Sequence, residues 1–158
     1  MASTLAPLSG FAKEHKSVRG YLDTAANSHG AEKGLLTHRA LQRITSARPH
    51  LVEIGPDGGA AVSFLSSRLQ QGQHGFAEID LTLIEVPDVA SGALTQAIQE
   101  FNRVGTCEVV RGFAQDIGTL LERQADVISA SALLHEVYSY GGGYGGLHSL
   151  MRTLPTVL

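Results

Sequence analysis

"LVEIGPDGGAAVSFL", Leu51 to Leu65, decides the fold. Its first four residues are apolar or β-branched apart from one acid, which suits a strand. Gly55-Pro56-Asp57-Gly58-Gly59 can only be a tight turn, and "AAVSFL" begins a helix. A strand that enters a helix through glycines is the usual cradle for a nucleotide. Two such cradles are excluded by residue type. The triphosphate loop needs a lysine and a hydroxyl after its last glycine, where Ala60 and Ala61 stand. The dinucleotide fingerprint needs a second glycine that lets backbone approach pyrophosphate; Asp57 occupies that place, and its carboxylate repels the ligand.

Outward from this turn, the pattern after Pro49 alternates short apolar strands with helices and predicts an α/β fold with a parallel sheet. Strands are expected at His50–Ile54, Leu81–Val86, Cys107–Arg111 and Ala125–Ser131. Between them, Val62, Leu65 and Leu69 mark one buried helix face, and Leu94, Ile98 and Phe101 another. A short helix is expected near Ile117–Leu121. After strand four, "ALLHEVYSYGGGYGGLHSLMRTLP" reads as a helix, a glycine bend and a helix stopped near Pro155.

Residues 1–48 contain no convincing strand and are expected to form an N-terminal helical cap on a core of residues 49–158. Two helices are expected there, broken at His29-Gly30, with Gly30 as a C-cap. In the second, Leu36, Ala40, Leu41 and Ile44 are the expected buried stripe, and Pro49 ends it.

With 158 residues the chain is long enough for one domain with a real core. Hydrophobic residues at 43% against charged residues at 17% describe a globular rather than a disordered chain. A net charge of -3 gives no footprint for duplex nucleic acid. The lone Cys107 cannot form an internal disulfide, which fits a reducing compartment, and a cytoplasmic location is expected. "MASTLAPLSGFAKEHK" has neither a basic n-region nor a long apolar core, so no signal peptide is predicted, and no apolar run is long enough to predict a membrane span.

"EIGPDGG" resembles the first motif of class I, Rossmann-like S-adenosylmethionine-dependent methyltransferases at Glu53, Gly55 and Gly59, departing at the middle glycine, where Asp57 stands. The cofactor of that family is cationic and phosphate-free, so an acid in the turn is tolerable. The resemblance continues through Glu85, where the family keeps an acid for both ribose hydroxyls, and through "GFAQDIG", where Asp116 matches the acid near the adenine amine beside Phe113 and Ala114. "ADVISASALLHEV" is similar to the fourth motif, which brings residues such as Ser131 to the cofactor. The resemblance thus implies S-adenosylmethionine as cofactor, held by Glu53, Gly55, Pro56, Asp57, Gly59, Glu85, Asp116 and Ser131, and methyl transfer to a small-molecule acceptor.

His135, after strand four, is then a candidate base, with Tyr138 a candidate wall of the acceptor pocket; the alternatives are a structural helix-start histidine and an ordinary interface aromatic. His135-Glu136 lacks the second histidine of a zinc-protease helix, so no metal site is expected. The family's sheet has seven strands, and the pattern here accounts for four. This implies that a homo-oligomer, or a separate C-terminal segment, completes the sheet. The other reading of the same fold is a non-catalytic S-adenosylmethionine-binding or assembly module.

Overall fold

In the central strand β1 (His50–Ile54) every residue is buried. A strand buried on both faces needs helices on both, which is the condition for a parallel sheet. The computed structural model describes residues 29–158 except Gln73 and Ala132. Its sheet has four parallel strands in the order β3-β2-β1-β4, with β2 at Asp80–Glu85, β3 at Thr106–Arg111 and β4 at Val127–Ala130. Leu51 lies opposite Leu81 on one side and Val127 on the other, and Leu81 opposite Cys107. Chain order runs outward from β1 to β3 and then returns to the far side of β1. The order therefore reverses between β1 and β4, and in open α/β sheets ligands bind beside such a switch point, at the carboxyl ends of the strands.

Strand alternation divides the core in two. Leu51, Leu81 and Leu83 pack with Leu41, Val62, Leu65, Leu69, Leu94 and Phe101. These come from helices α1 (Gly30–Leu41), α2 (Ala60–Gln70) and α3 (Gly92–Phe101). The alternate residues Val52, Ile54 and Ile84 pack with Ile117, Val137 and Leu150. Those belong to the short α4 (Ile117–Leu120), α5 (Leu134–Tyr140) and α6 (Tyr144–Thr153), which is followed by a 3-10 turn at Leu154–Thr156. The result is a helix–sheet–helix sandwich, the predicted class. Val127 and Ile128 of β4 face the first and second clusters respectively.

Helix α1 corrects the sequence reading in three ways. Gly30 is its first residue rather than a C-cap, and the helix ends at Leu41, well before Pro49. Its buried face is Gly30, Gly34, Thr37, His38 and Leu41, whereas Leu36 is 65% exposed and Ala40 only half-buried. The reason is a close approach of backbones. A Cβ at Gly34 would lie 2.7 Å from the Phe64 ring and 2.9 Å from the Ala61 carbonyl oxygen, and one at Gly30 would overlap Ala60. Glycines, rather than the leucine, therefore set the face that docks on α2. The expected first helix of the cap, apart from His29 and Gly30, lies outside the described residues.

A candidate ligand site at the carboxyl end of the sheet

The turn after β1 takes its shape from two backbone conformations that side chains resist. Gly55 has φ +69° and Gly59 has φ +78°, where only glycine is unstrained. Asp57 is also left-handed, at φ +50°, a region that aspartate tolerates better than most residues. The Gly55 amide donates to the Ile84 carbonyl (2.9 Å), and the Gly59 amide to the Pro56 carbonyl (2.8 Å), so the turn is anchored to β2 and closed on itself. Gly59 then caps α2, and a Cβ there would lie 2.7 Å from that of Ala97. Pro56 is buried and Asp57 half-buried.

Four carboxyl groups gather around this turn. Glu53 is the last residue but one of β1, and burial pushes it up to about 7 against the pull of Ser129 and Lys33. Glu85 closes β2; burial also pushes it up to about 7, a hydrogen bond from the Val86 amide opposes this, and Asp57 and Glu136 add to it. Asp57 and Glu136 are themselves raised, both mainly by burial. Among them stands one ammonium from α1: Lys33 Nζ, 3.8 Å from Asp57 Oδ2. The Thr37 hydroxyl, one turn further along α1, donates to the Lys33 carbonyl (3.0 Å) and lies 3.3 Å from Ser129 Oγ, so the helix touches β4.

Glu85 is the most telling member. It is only 5% exposed, its Oε1 accepts from the Val86 amide at 2.9 Å, and its Oε2 is buried with no partner among the described residues. A buried carboxylate oxygen without a donor is costly, and a native structure keeps one where a ligand or water supplies it. Among the described residues no group of three or more His, Cys, Asp or Glu is arranged to hold a metal ion.

The remaining predicted residues lie along the same edge with different degrees of cover. Ser131 follows β4 and is half-buried. Asp116 is exposed on the 3-10 turn after β3; its carbonyl accepts from Thr119 Oγ1 (2.9 Å), and its carboxylate makes no hydrogen bond among the described residues. Beside it Phe113 is partly exposed and Ala114 buried. His135 is exposed near the start of α5, 4.0 Å from Glu136, and Tyr138 meets Tyr144 edge to face at 5.0 Å. The sequence reading missed Lys33, Ser129 and the place of Glu136, all of which reach the turn only through tertiary packing.

The four-strand parallel order and the glycine turn at its switch point define a doubly wound, Rossmann-like α/β protein with a polar, mostly acidic site. No protein-family model matches the chain, and no curated protein matches it.

Proposed function

We propose that the chain binds S-adenosylmethionine at the carboxyl end of β1 and β2 and serves methyl transfer to a small-molecule acceptor. The observation that carries this reading is Glu85: a buried carboxylate at the end of β2, with one oxygen unpartnered, next to a glycine turn that carries an acid. A ribose diol offers two hydroxyl donors to such a group. A phosphate-bearing nucleotide would meet Asp57, Glu85 and Glu136 as like charges, whereas a sulfonium and an ammonium meet them as counter-ions. At Gly55 an added Cβ would meet nothing nearer than Glu136 Oε2 at 3.9 Å, which leaves that side of the turn open to a ligand.

The chemistry asks little of the protein. The sulfonium, when bound, supplies an already activated methyl group. The chain's share is to hold acceptor and methyl in line and exclude water, so positioning dominates. His135, at the exposed end of α5, takes a proton from acceptors that carry one; an unprotonated nitrogen or sulfur acceptor needs no base.

Glu85→Ala tests the reading. Loss of hydrogen bonds to a charged group costs roughly 1.5–3 kcal/mol, or about ten- to hundredfold in affinity. Calorimetry with S-adenosylhomocysteine should show that loss in a folded variant. Unchanged affinity would remove Glu85 from the site, and no binding by the unaltered protein would remove the reading itself.

A further inference from the structure

Glu85 has a cation at hand and does not use it. Arg111, the last residue of β3, is its register partner across the β2–β3 ladder. Leu83 and Val109, two residues earlier on the same strands, pack in the first cluster, so alternation puts Glu85 and Arg111 on that face. Opposite charges facing each other on neighbouring strands ordinarily pair. Yet Glu85 Oε1 takes the Val86 amide, and Oε2 stays buried without a partner among the described residues.

The guanidinium is engaged elsewhere. Arg111 Nη1 donates to the Val89 carbonyl at 2.6 Å and to the Val86 carbonyl at 3.3 Å. One nitrogen thus gathers two carbonyls from the loop that follows β2, and residues 86–89 curl around it. Asp88, within that curl, is left-handed at φ +67°, a conformation that aspartate accepts better than most side chains. The strap reaches the acid through Val86. Arg111 holds the Val86 carbonyl, while the Val86 amide donates to Glu85 Oε1 at 2.9 Å. The main chain of Glu85 is fixed as well, since its carbonyl accepts from the Gly112 amide at 3.0 Å.

We infer that Arg111 is a positioning residue: by strapping the loop after β2 it fixes the Val86 amide, and through it the Glu85 carboxyl that the ligand's hydroxyls meet. The inference rests on the S-adenosylmethionine reading and adds to it a residue that touches no ligand. Two features set this role apart from that of a solvated edge arginine. The bond to Val89 is short, as bonds from an ionised donor are. A direct Glu85–Arg111 pair would instead satisfy the buried oxygen from within and leave no acceptor for a diol. The strap therefore does two things at once. It orders the loop, and it keeps the neighbouring acid open.

A double-mutant cycle separates positioning from a general effect. Calorimetry with S-adenosylhomocysteine is run on the full chain, Arg111→Met, Glu85→Ala and the double variant, with folding checked by circular dichroism. Arg111 is exposed on the outer strand and belongs to neither core cluster, so these variants keep their core. Arg111→Met should weaken binding about tenfold when Glu85 is present. In the Glu85→Ala background the same change should move affinity by less than about twofold, because the carboxyl it positions is gone. Equal weakening in both backgrounds, or none when Glu85 is present, overturns the positioning role and leaves the cofactor reading intact. Failure of the unaltered chain to bind S-adenosylhomocysteine overturns both.

Discussion

Glu85 ends β2 and Glu53 stands one residue before the end of β1, both with carboxyl groups held up to about 7, in each case chiefly by burial. Their ordinary value is 4.5, so the folded chain binds these protons more tightly than the unfolded chain does. The stability this confers is complete below about pH 4.5 and is lost as pH rises through about 7. Urea titrations between pH 5 and 8 should therefore show stability falling, by on the order of 2–3 kcal/mol per group. Glu85→Gln should flatten the curve; a rising curve would contradict the burial of these acids. Binding runs the other way. A cationic ligand prefers the deprotonated acids, so affinity for S-adenosylmethionine should rise between pH 6 and 8, by about tenfold per carboxylate. Gly59 sets the turn under them. Gly59→Ala meets both a positive φ and the Ala97 methyl, and should lower stability by about 2–4 kcal/mol in urea unfolding.

At the scale of elements, α1 joins packing to the site. Gly34→Ala inserts a methyl between α1 and α2, where the Ala61 carbonyl oxygen and the Phe64 ring leave no room. The expected cost is about 1–3 kcal/mol, read from the urea midpoint. Unchanged stability would mean that α1 does not rest on α2 as described. This helix also shows where the sequence was opaque. β1, the glycine turn and α2 were legible because strand alternation, turn chemistry and the spacing of Val62, Leu65 and Leu69 are local signals. In α1 the reading followed Leu36 and took glycine for a breaker, whereas close helix docking buries the glycines and leaves Leu36 in solvent. Of the site, Glu53 and Glu85 could be found from strand ends. Lys33 could not, since it has no motif of its own and faces Asp57 only once α1 lies across α2. Glu136 was seen beside His135 as a fragment of a zinc helix; in the fold it belongs with Asp57.

Across the whole molecule the two sheet edges differ. β3 presents Thr106, Glu108 and Arg111 as exposed polar residues. β4 pairs only with β1 among the described residues, and beside it Ala130, Leu133, Leu134, His135, Leu150 and Leu154 line a groove of about 300 Å³. The 3-10 turn partly closes its base, where the Ala125 amide donates to the Val157 carbonyl (2.7 Å). Further along, Leu134, Tyr138, Tyr140, Tyr144 and Met151 remain exposed. A short apolar edge flanked by such residues invites pairing. Residues 1–158 alone should therefore self-associate, with a light-scattering mass of a dimer or more at micromolar concentration; a stable monomer would show that this edge needs no cover.

The central claim is that a glycine turn carrying acids holds S-adenosylmethionine rather than a phosphate-bearing nucleotide. Thermal unfolding with S-adenosylmethionine, S-adenosylhomocysteine, NAD and ATP tests it most directly. A ligand at 100 times its Kd adds about 2.7 kcal/mol, which for a chain of this size raises Tm by about 5–11 °C. The account predicts such a rise with the two S-adenosyl compounds and none with NAD or ATP. A rise with NAD or ATP, and none with either S-adenosyl compound, would contradict it.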